Sequence, residues 1–593
     1  MDIHYRSLTK VEIEQLERAG NQAADWSAIH VADGCCIDCL HGNTFEGEVT
    51  IGLIKRGKAT HGDLTLREGI YNSTLMDVKV GDHPVIHNVR MLSGYEVGDH
   101  VWLFNINEMT CTTDPRRVAW LEPMNENGGR RLLPFSGMTI GDAYMWARYR
   151  GHKRLIERLE QMTYTALATP EGRYGRVGDH CVVKNATAIR NVALRSTEQD
   201  PTEVDGVVVL SDGVVGTGCR VEHGVMAVRF LLGEHVHLEF GLRLNDTVVG
   251  DNSTLARCEV GNSIIFPAHE QHHNNSFLIA GLVMGQSNIA AGGTIGSNHN
   301  SRTADNELAA GRGFWPGLCC SFKHSSRFAS YCLLAKGDYP AELDIKLPFA
   351  LVNNNVSKDQ LEVMPAYWWM YNMYAMDRNS KKFAKRDKRV VKAQHVEFDN
   401  LAPDTAEEIL HGIELLRKWK AENGTVRAEG MEKSKRPTVV LKAAEGLRAY
   451  EEMLVYYAMK TLESAPQTNQ CTPQAACTEW VNIGGQLIAK PDMERLIADV
   501  ESGTLDSWDA IHRRFDDLWK EYPVQRRAHA YGVLCRLAGV TELDAPRWQS
   551  FQNRFAEIQH YVEEQKVASR RKDETNPFRN MTYWDNAERE AVL

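Results

Sequence analysis

The chain has 593 residues, of which 43% are hydrophobic and 25% charged, and its formal net charge is −10. This composition is typical of globular proteins, and the mild acidity disfavours a general nucleic-acid binder, which needs clustered cations. Thirteen cysteines without a secretory leader are expected to be reduced thiols. Since no apolar run approaches the roughly 20 residues of a membrane span, we expect a cytoplasmic protein.

Residues 1–45 are predicted to form a helix and a lead-in. Thr9 and Glu12 make a T-x-x-E capping box, Ile13 and Leu16 follow on one face, and Gly20 ends the pattern.

Residues 46–137 and 171–357 carry a six-residue repeat. Apolar residues recur at intervals of six in three series, which are Val80, Ile86, Leu92; Val97, Leu103, Met109; and Val177, Val183, Ile189. Each series opens with the tetrapeptide V-G-D-H. Six residues suit a short strand and a sharp turn, with three units to a coil, so residues about 18 apart are expected to stack. A β-sandwich with coincidental spacing is the alternative.

The repeat is clearest in residues 271–300, where Phe277, Val283, Ile289 and Ile295 open four consecutive units. The intervening residues 138–170 have helical spacing instead and predict a helical insertion in the solenoid.

The rest of the chain is predicted to be a connector followed by helices. Residues 358–402 are rich in aromatic and basic residues, and the basic strip from Lys381 to Arg389 is expected to be a solvated face or a strip that contacts phosphate. Residues 403–593 form a helical C-terminal domain, in which Thr405 and Glu408 predict a second capping box.

At residues 271–300 the chain resembles the hexapeptide-repeat proteins, and units such as IGSNHN and VGDHCV have the opening that this superfamily prefers. As a whole it resembles an uncharacterised bacterial family of such proteins with a helical C-terminal domain. The resemblance implies a left-handed parallel β-helix, usually trimeric, within an α+β chain. Many relatives are acyltransferases that use acyl-CoA or acyl carrier protein, and others are associated with nucleotidyl transfer or depend on a metal.

The densest polar cluster directly precedes the best repeats. Acyl transfer needs a base to take a proton from an amine or hydroxyl, and histidine suits this role at neutral pH. We therefore expect His273 or His272 to be the base. Asn275 would donate a hydrogen bond to the developing oxyanion or to the substrate. The remaining predicted substrate-binding residues are Asn298, His299, Asn300, Arg302 and Lys323, of which Arg302 and Lys323 would hold a phosphate.

A metal site is an alternative interpretation of the same histidines. His237 and His273 are 36 residues apart, or two nominal coils, and with His269, His272 or His235 they would supply three imidazoles for zinc. Carbonic-anhydrase-like members of the superfamily use three histidines. Cys35, Cys36 and Cys39 also have metal-like spacing, although buried structural thiols are the better interpretation.

Two classes of function follow. One is a transferase acting on a sugar or sugar-nucleotide, with an acyl-CoA-like donor, at the solenoid edge near residues 269–302. The other is a non-catalytic homotrimeric scaffold or ligand-binding protein. The sequence has no P-loop and no G-x-S-x-G elbow to favour a different chemistry.

Overall fold

The computed structural model describes residues 4–592 except 113, 115–116, 297–305, 420, 423–424, 464–476, 573 and 575. Its main feature is a solenoid of short parallel strands, each paired with the strand one coil further on. Leu210, Ala227 and Leu244 are register partners in successive coils, so these coils are 17 residues long rather than the expected 18. The predicted fold class, α+β with a parallel β-solenoid that helices interrupt and follow, is confirmed.

Two ladders of strands build the solenoid. The shorter ladder contains Leu40–His41, Gly69–Tyr71, Val85–Val89, Trp102–Ile106, Val182–Lys184, Glu203–Asp205, Arg220–Glu222, His237–Glu239, Thr254–Ala256 and Glu270–Gln271. The longer ladder contains Tyr5–Ser7, Gln22–Ala23, Ile29–Ala32, Thr44–Ile51, Thr74–Val80, Leu92–Ser93, Glu96–Val97, Glu108–Thr110, Arg176–Val177, Ala188–Leu194, Val209–Val215, Met226–Leu232, Arg243–Val249, Glu259–Ile265, Phe277–Val283, Thr294–Ile295, Leu308–Ala310, Ser321–Phe322, Arg327–Phe328, Asp338–Tyr339 and Asp344–Ile345.

The long strands bend in the middle and so form two faces of each coil. The bend lies at a residue with positive φ, such as Asp212 (φ 55°), Arg229 (φ 50°) or Asp246 (φ 49°). Asp and Asn tolerate this left-handed conformation better than most residues. The predicted inward residues of the three V-G-D-H series are buried. In the 271–300 run, however, the buried Leu278 stacks on Ile295, and the predicted Phe277 is only half-buried.

The V-G-D-H tetrapeptide forms a corner at which successive coils lock together. Asp99 Oδ1 accepts the Asp82 N–H at 2.7 Å, and Asp179 Oδ1 accepts the Asp99 N–H at 2.9 Å. A Cβ atom on Gly98 would collide with the Asp179 carboxylate. Glycine therefore leaves room for the aspartate of the next coil, and the aspartate pairs an amide that the turn would otherwise leave free.

Twelve α-helices lie among the described residues. They are α1 (Lys10–Arg18), α2 (Ile140–Arg148), α3 (Lys153–Leu167), α4 (Tyr367–Tyr371), α5 (Met373–Arg386), α6 (Pro403–Lys418), α7 (Ala443–Glu463), α8 (Lys490–Ser502), α9 (Trp508–Ala538), α10 (Ala545–Arg571), α11 (Pro577–Asn580) and α12 (Asn586–Val592). Short 3₁₀ turns occur at Trp26–Ala28, Ile37–Cys39 and Val356–Lys358. No helix in the described part of the chain is both long and apolar enough to cross a bilayer.

A third sheet and two hairpins complete the strands. The sheet contains Trp315–Pro316, Leu333–Leu334, Leu351–Asn355, Gln360–Met364, Ala421–Glu422, Thr425–Ala428 and Thr438–Val440. One hairpin pairs Lys58–His61 with Leu64–Arg67, and the other pairs Trp480–Ile483 with Gln486–Ala489.

The helical insertion, α2 and α3, covers the outer face of the solenoid. Its apolar side packs on outward-facing strand residues such as Val214, Leu231 and Val248, together with α8 and the first turns of α9. These strands are therefore buried on both faces. This explains why the sequence at their ends consists of consecutive apolar residues.

One predicted helix start is confirmed and one is wrong. Thr9 and Glu12 form the capping box of α1. Helix α6 begins at Pro403, two residues before the predicted cap at Thr405, because proline suits the first helical position. The Glu408 carboxylate instead accepts the backbone N–H of Ser330 at 2.9 Å and so joins α6 to the solenoid.

Candidate functional site

A cleft of about 770 Å³ opens where the insertion and α9 meet one corner of the solenoid. The corner contributes residues 193–197, the insertion contributes residues 162–172, and the start of α9 contributes Trp508, Asp509 and His512. The polar side chains on its walls include Thr165, Arg176, Asp179, Arg195, Ser196, Thr197, Thr217, Ser507, Asp509 and His512. This size and mixture are typical of a small-molecule site.

A histidine–aspartate pair lies on one wall. His512 Nε2 is 2.7 Å from Asp142 Oδ2, and Asp142 is completely buried. Asp142 is fixed because the same oxygen accepts the Thr139 N–H at 2.8 Å in the capping box of α2. Burial opposes a charge on His512, but the Asp142 carboxylate outweighs it and raises the pKa of the histidine. An imidazole oriented by a carboxylate can accept a proton at its other nitrogen.

A cation without a close ion pair among the described residues lies at the solenoid corner. The guanidinium of Arg195 is half-buried, and in the described part of the chain it makes no hydrogen bond or ion pair, although its charge acts on the nearby Glu234 carboxylate. In the stack of coils Arg195 occupies the position that Gly178 and Gly233 occupy in other coils. Because guanidinium groups bind carboxylates and phosphates with two parallel hydrogen bonds, this side chain can hold the anionic group of a ligand.

Behind Arg195 lies a small cavity of about 20 Å³ lined by Glu234 and Asp251. It shares Arg195 and Ala393 with the cleft. Glu234 is 5% exposed, and burial together with the adjacent Asp251 raises its pKa to about 7. The group therefore changes charge near neutral pH, as catalytic and binding carboxyls do.

The basic strip of the connector packs beside this cavity, and the connector residues Ala393 and Gln394 line it. Arg389 is buried and forms ion pairs with Asp251 and, at 2.8 Å, with Asp387. Burial opposes a charge on Arg389, but these carboxylates outweigh it and raise its pKa. Lys382 and Arg386 contact Glu270 at 3.5 and 2.8 Å. The strip is thus docked on the solenoid by carboxylates.

The predicted catalytic residues lie together at another part of the solenoid. The rings of His272 and His273 are 4.5 Å apart, and His272 Nδ1 is 3.1 Å from Glu270 Oε2. Asn275 is a corner residue with φ 61°. His269 is completely buried, with its ring nitrogens 2.8 Å from Ser287 Oγ and 3.2 Å from Gln271 Oε1. Burial lowers the pKa of His269 to about 4, so it stays neutral near pH 7.

The structure does not bring the predicted metal ligands together. His237 is in register with Thr254, and Thr254 with Glu270, so His273 lies three residues past the position that stacks on His237. In the described ranges no group of three His, Cys, Asp or Glu side chains is arranged to hold a metal ion. Cys35 and Cys39 are buried free thiols, and burial raises the pKa of Cys39 to about 12, which agrees with structural thiols.

Most of the predicted substrate-binding residues cannot be placed. Asn298, His299, Asn300 and Arg302 lie outside the described residues. Lys323 is described, and its ammonium lies 3.5 Å from Glu342. The role assigned to these residues stays a prediction.

Sequence reasoning missed four residues in and around the cleft, Asp142, Arg195, Glu234 and His512. The sequence carries a local signal for two of these residues, Glu234 and Asp142. L-G-E-H at 232–235 is a variant of V-G-D-H, and T-I-G-D at 139–142 is a capping box. Asp142 and His512 are separated by 370 residues, and nothing local in the sequence indicates that they meet.

Comparisons with known proteins identify relatives but no reaction. A family described as "Domain of unknown function (DUF4954)" matches residues 5–420, more than two thirds of the chain. An uncharacterised protein from Treponema pallidum (strain Nichols) is 42% identical over 652 aligned residues, which cover 99% of this chain and 90% of the relative. The family match includes the solenoid and the insertion, whereas His512 lies beyond it.

Proposed function

The chain belongs to the DUF4954 family, and we propose that it is a transferase whose reaction takes place in the cleft. The observation that carries the proposal is the Asp142–His512 pair, whose histidine lines a cavity that Arg195 also lines. A base and an anion-binding group in one cleft suit the activation of a hydroxyl on an anionic acceptor, such as a phosphorylated sugar.

In the proposed reaction an acyl thioester is the donor, the class that the hexapeptide-repeat resemblance implies. Arg195 binds the anionic group of the acceptor. His512 accepts the proton of the acceptor hydroxyl as its oxygen attacks the thioester carbonyl. The C–S bond then breaks, and the leaving thiolate takes the proton from His512, so that an ester and a free thiol are formed. Asp142 holds the ring of His512 and stabilises its charged form.

Thiol release from acetyl-CoA with a panel of sugar phosphates tests this proposal. We expect His512→Asn to lower kcat/KM by about 100-fold or more, the usual contribution of a positioned base. His395→Asn is the matched control, since His395 also lies 2.7 Å from an aspartate, Asp516, but does not line the cleft. Turnover that survives His512→Asn, or falls equally in the control, would contradict the proposal.

The same assay compares the cleft with the predicted site near residues 269–302. His273→Asn removes the predicted base at that edge. If the reaction belongs to the cleft, this variant retains near-wild-type kcat/KM. Loss of turnover in His273→Asn with full turnover in His512→Asn would assign the reaction to the edge instead.

A further inference from the structure

Glu234 departs from the structural role of its position in the coil. At this corner Asp99, Asp179 and Asp251 each use Oδ1 to accept an N–H of the preceding coil, at 2.7, 2.9 and 2.8 Å. Glu234 occupies the same position in its own coil, within L-G-E-H. Its side chain is one methylene longer, and its only hydrogen bond among the described residues is at Oε1, from Thr217 Oγ1 at 3.4 Å.

The second carboxylate oxygen of Glu234 is buried without a partner. Glu234 is 5% exposed, and its Oε2 has no hydrogen-bond donor in the described part of the chain. Two cations lie close enough to act on Glu234, but neither donates a hydrogen bond to this oxygen. Arg389 forms ion pairs with Asp251 and Asp387, and Arg195 makes no ion pair or hydrogen bond with the side chains that the structure describes. A buried polar oxygen without a donor is costly, and its presence beside a cavity indicates that a ligand supplies the donor.

Glu234 and Arg195 line the same small cavity. In the stack, Arg195 aligns with Gly216, and Gly216 aligns with Gly233, the residue before Glu234. The backbones at Arg195 and Glu234 are therefore two coil spacings, or about 10 Å, apart. Gly216 has no side chain and lines the cavity between them. Because Arg195 and Ala393 line both the cleft and the small cavity, a ligand held at Arg195 borders both spaces.

We infer that Glu234 binds an ammonium group of a ligand whose anionic group is held by Arg195. The ligand class is a small molecule that carries a phosphate or carboxylate and an amine a few bonds apart. An ammonium fits because it donates several hydrogen bonds and balances the charge of Glu234, whereas Asp251 is already paired with Arg389. This inference rests on the proposed function, because it identifies the ligand of the same cleft.

Binding of two matched probes to the full chain tests the inference. Phosphoethanolamine carries a phosphate and an ammonium, whereas ethyl phosphate lacks the ammonium. We expect the wild-type chain to bind phosphoethanolamine about tenfold or more tightly than ethyl phosphate by calorimetry, since hydrogen bonds to charged groups contribute this much. Glu234→Gln should reduce the ratio to near one while ethyl phosphate binds as before. The control Glu259→Gln, at an exposed position of the next coil, should keep the full ratio.

The outcomes separate the two proposals. Equal affinity for both probes in the wild type, with binding lost in Arg195→Gln, would overturn the role of Glu234 and leave the cleft as an anion site. An unchanged ratio in Glu234→Gln would also overturn that role. Failure of both probes to bind the wild type would overturn both the inference and the anion-binding role of Arg195 on which the proposed function depends.

Discussion

At the scale of single residues, the cleft and the small cavity behind it hold polar groups that the fold does not use. Asp99 and Asp179 pair backbone amides, but Glu234, at the equivalent corner position, leaves a carboxylate oxygen without a donor among the described residues. Arg195, at the glycine position of its own coil, makes no hydrogen bond through its guanidinium in the same part of the chain. Natural proteins keep such groups where a ligand compensates for them. The free-energy cost of burying the Glu234 carboxylate can be measured as a change in the stability of the protein.

We expect Glu234→Gln to stabilise the protein at pH 8 and to have little effect at pH 4.5. Burial and Asp251 raise the pKa of Glu234 from 4.5 to about 7, so the folded state keeps a proton that the unfolded state loses. Its contribution to stability is therefore present below pH 4.5 and is lost as the pH rises through 7. The amide removes this penalty, on the order of 3 kcal/mol.

Thermal unfolding at both pH values measures this effect. The exposed Glu259→Gln should leave the melting temperature unchanged at pH 4.5 and at pH 8. A Glu234→Gln variant that melts below the wild type at pH 8 would show that the carboxylate is compensated in the folded protein.

At the scale of the elements, the corner tetrapeptide explains why the solenoid was predictable. Each V-G-D-H repeats the same local requirement, a glycine beside the aspartate of the next coil, so sequence spacing alone indicates the stack. Coil length is less predictable because turns differ between coils. As a result, the inward residue is Leu278 and not the predicted Phe277. The start of α6 was misplaced because Pro403 competes with Thr405 for the beginning of the helix.

We expect Gly98→Ala to lower the free energy of unfolding by about 1–3 kcal/mol, the usual cost of overpacking. The added Cβ would lie 2.9 Å from the Asp179 backbone nitrogen and would collide with its carboxylate. Gly151→Ala is the control, because nothing lies within 4 Å of its added Cβ. Urea unfolding of both variants measures the difference, and equal midpoints would mean that the corner tolerates a side chain.

At the scale of the whole molecule, the helices complete a site as well as cover the solenoid. The cleft needs the corner at residues 193–197, α3 from the insertion and α9 from the C-terminal region. This is why the fold class was predictable but the cleft was not: it depends on a contact between residues 370 positions apart. The homotrimer, the cytoplasmic location and the absence of nucleic-acid partners stay predictions.

The central claim is that the cleft is the ligand site, and a crystal structure of the full chain grown with ethyl phosphate tests it most directly. We expect phosphate oxygens within hydrogen-bonding distance of the Arg195 guanidinium, with the His512 ring facing the same bound molecule. Ethyl phosphate bound beside His272 and His273, with the cleft around Arg195 empty, would contradict it.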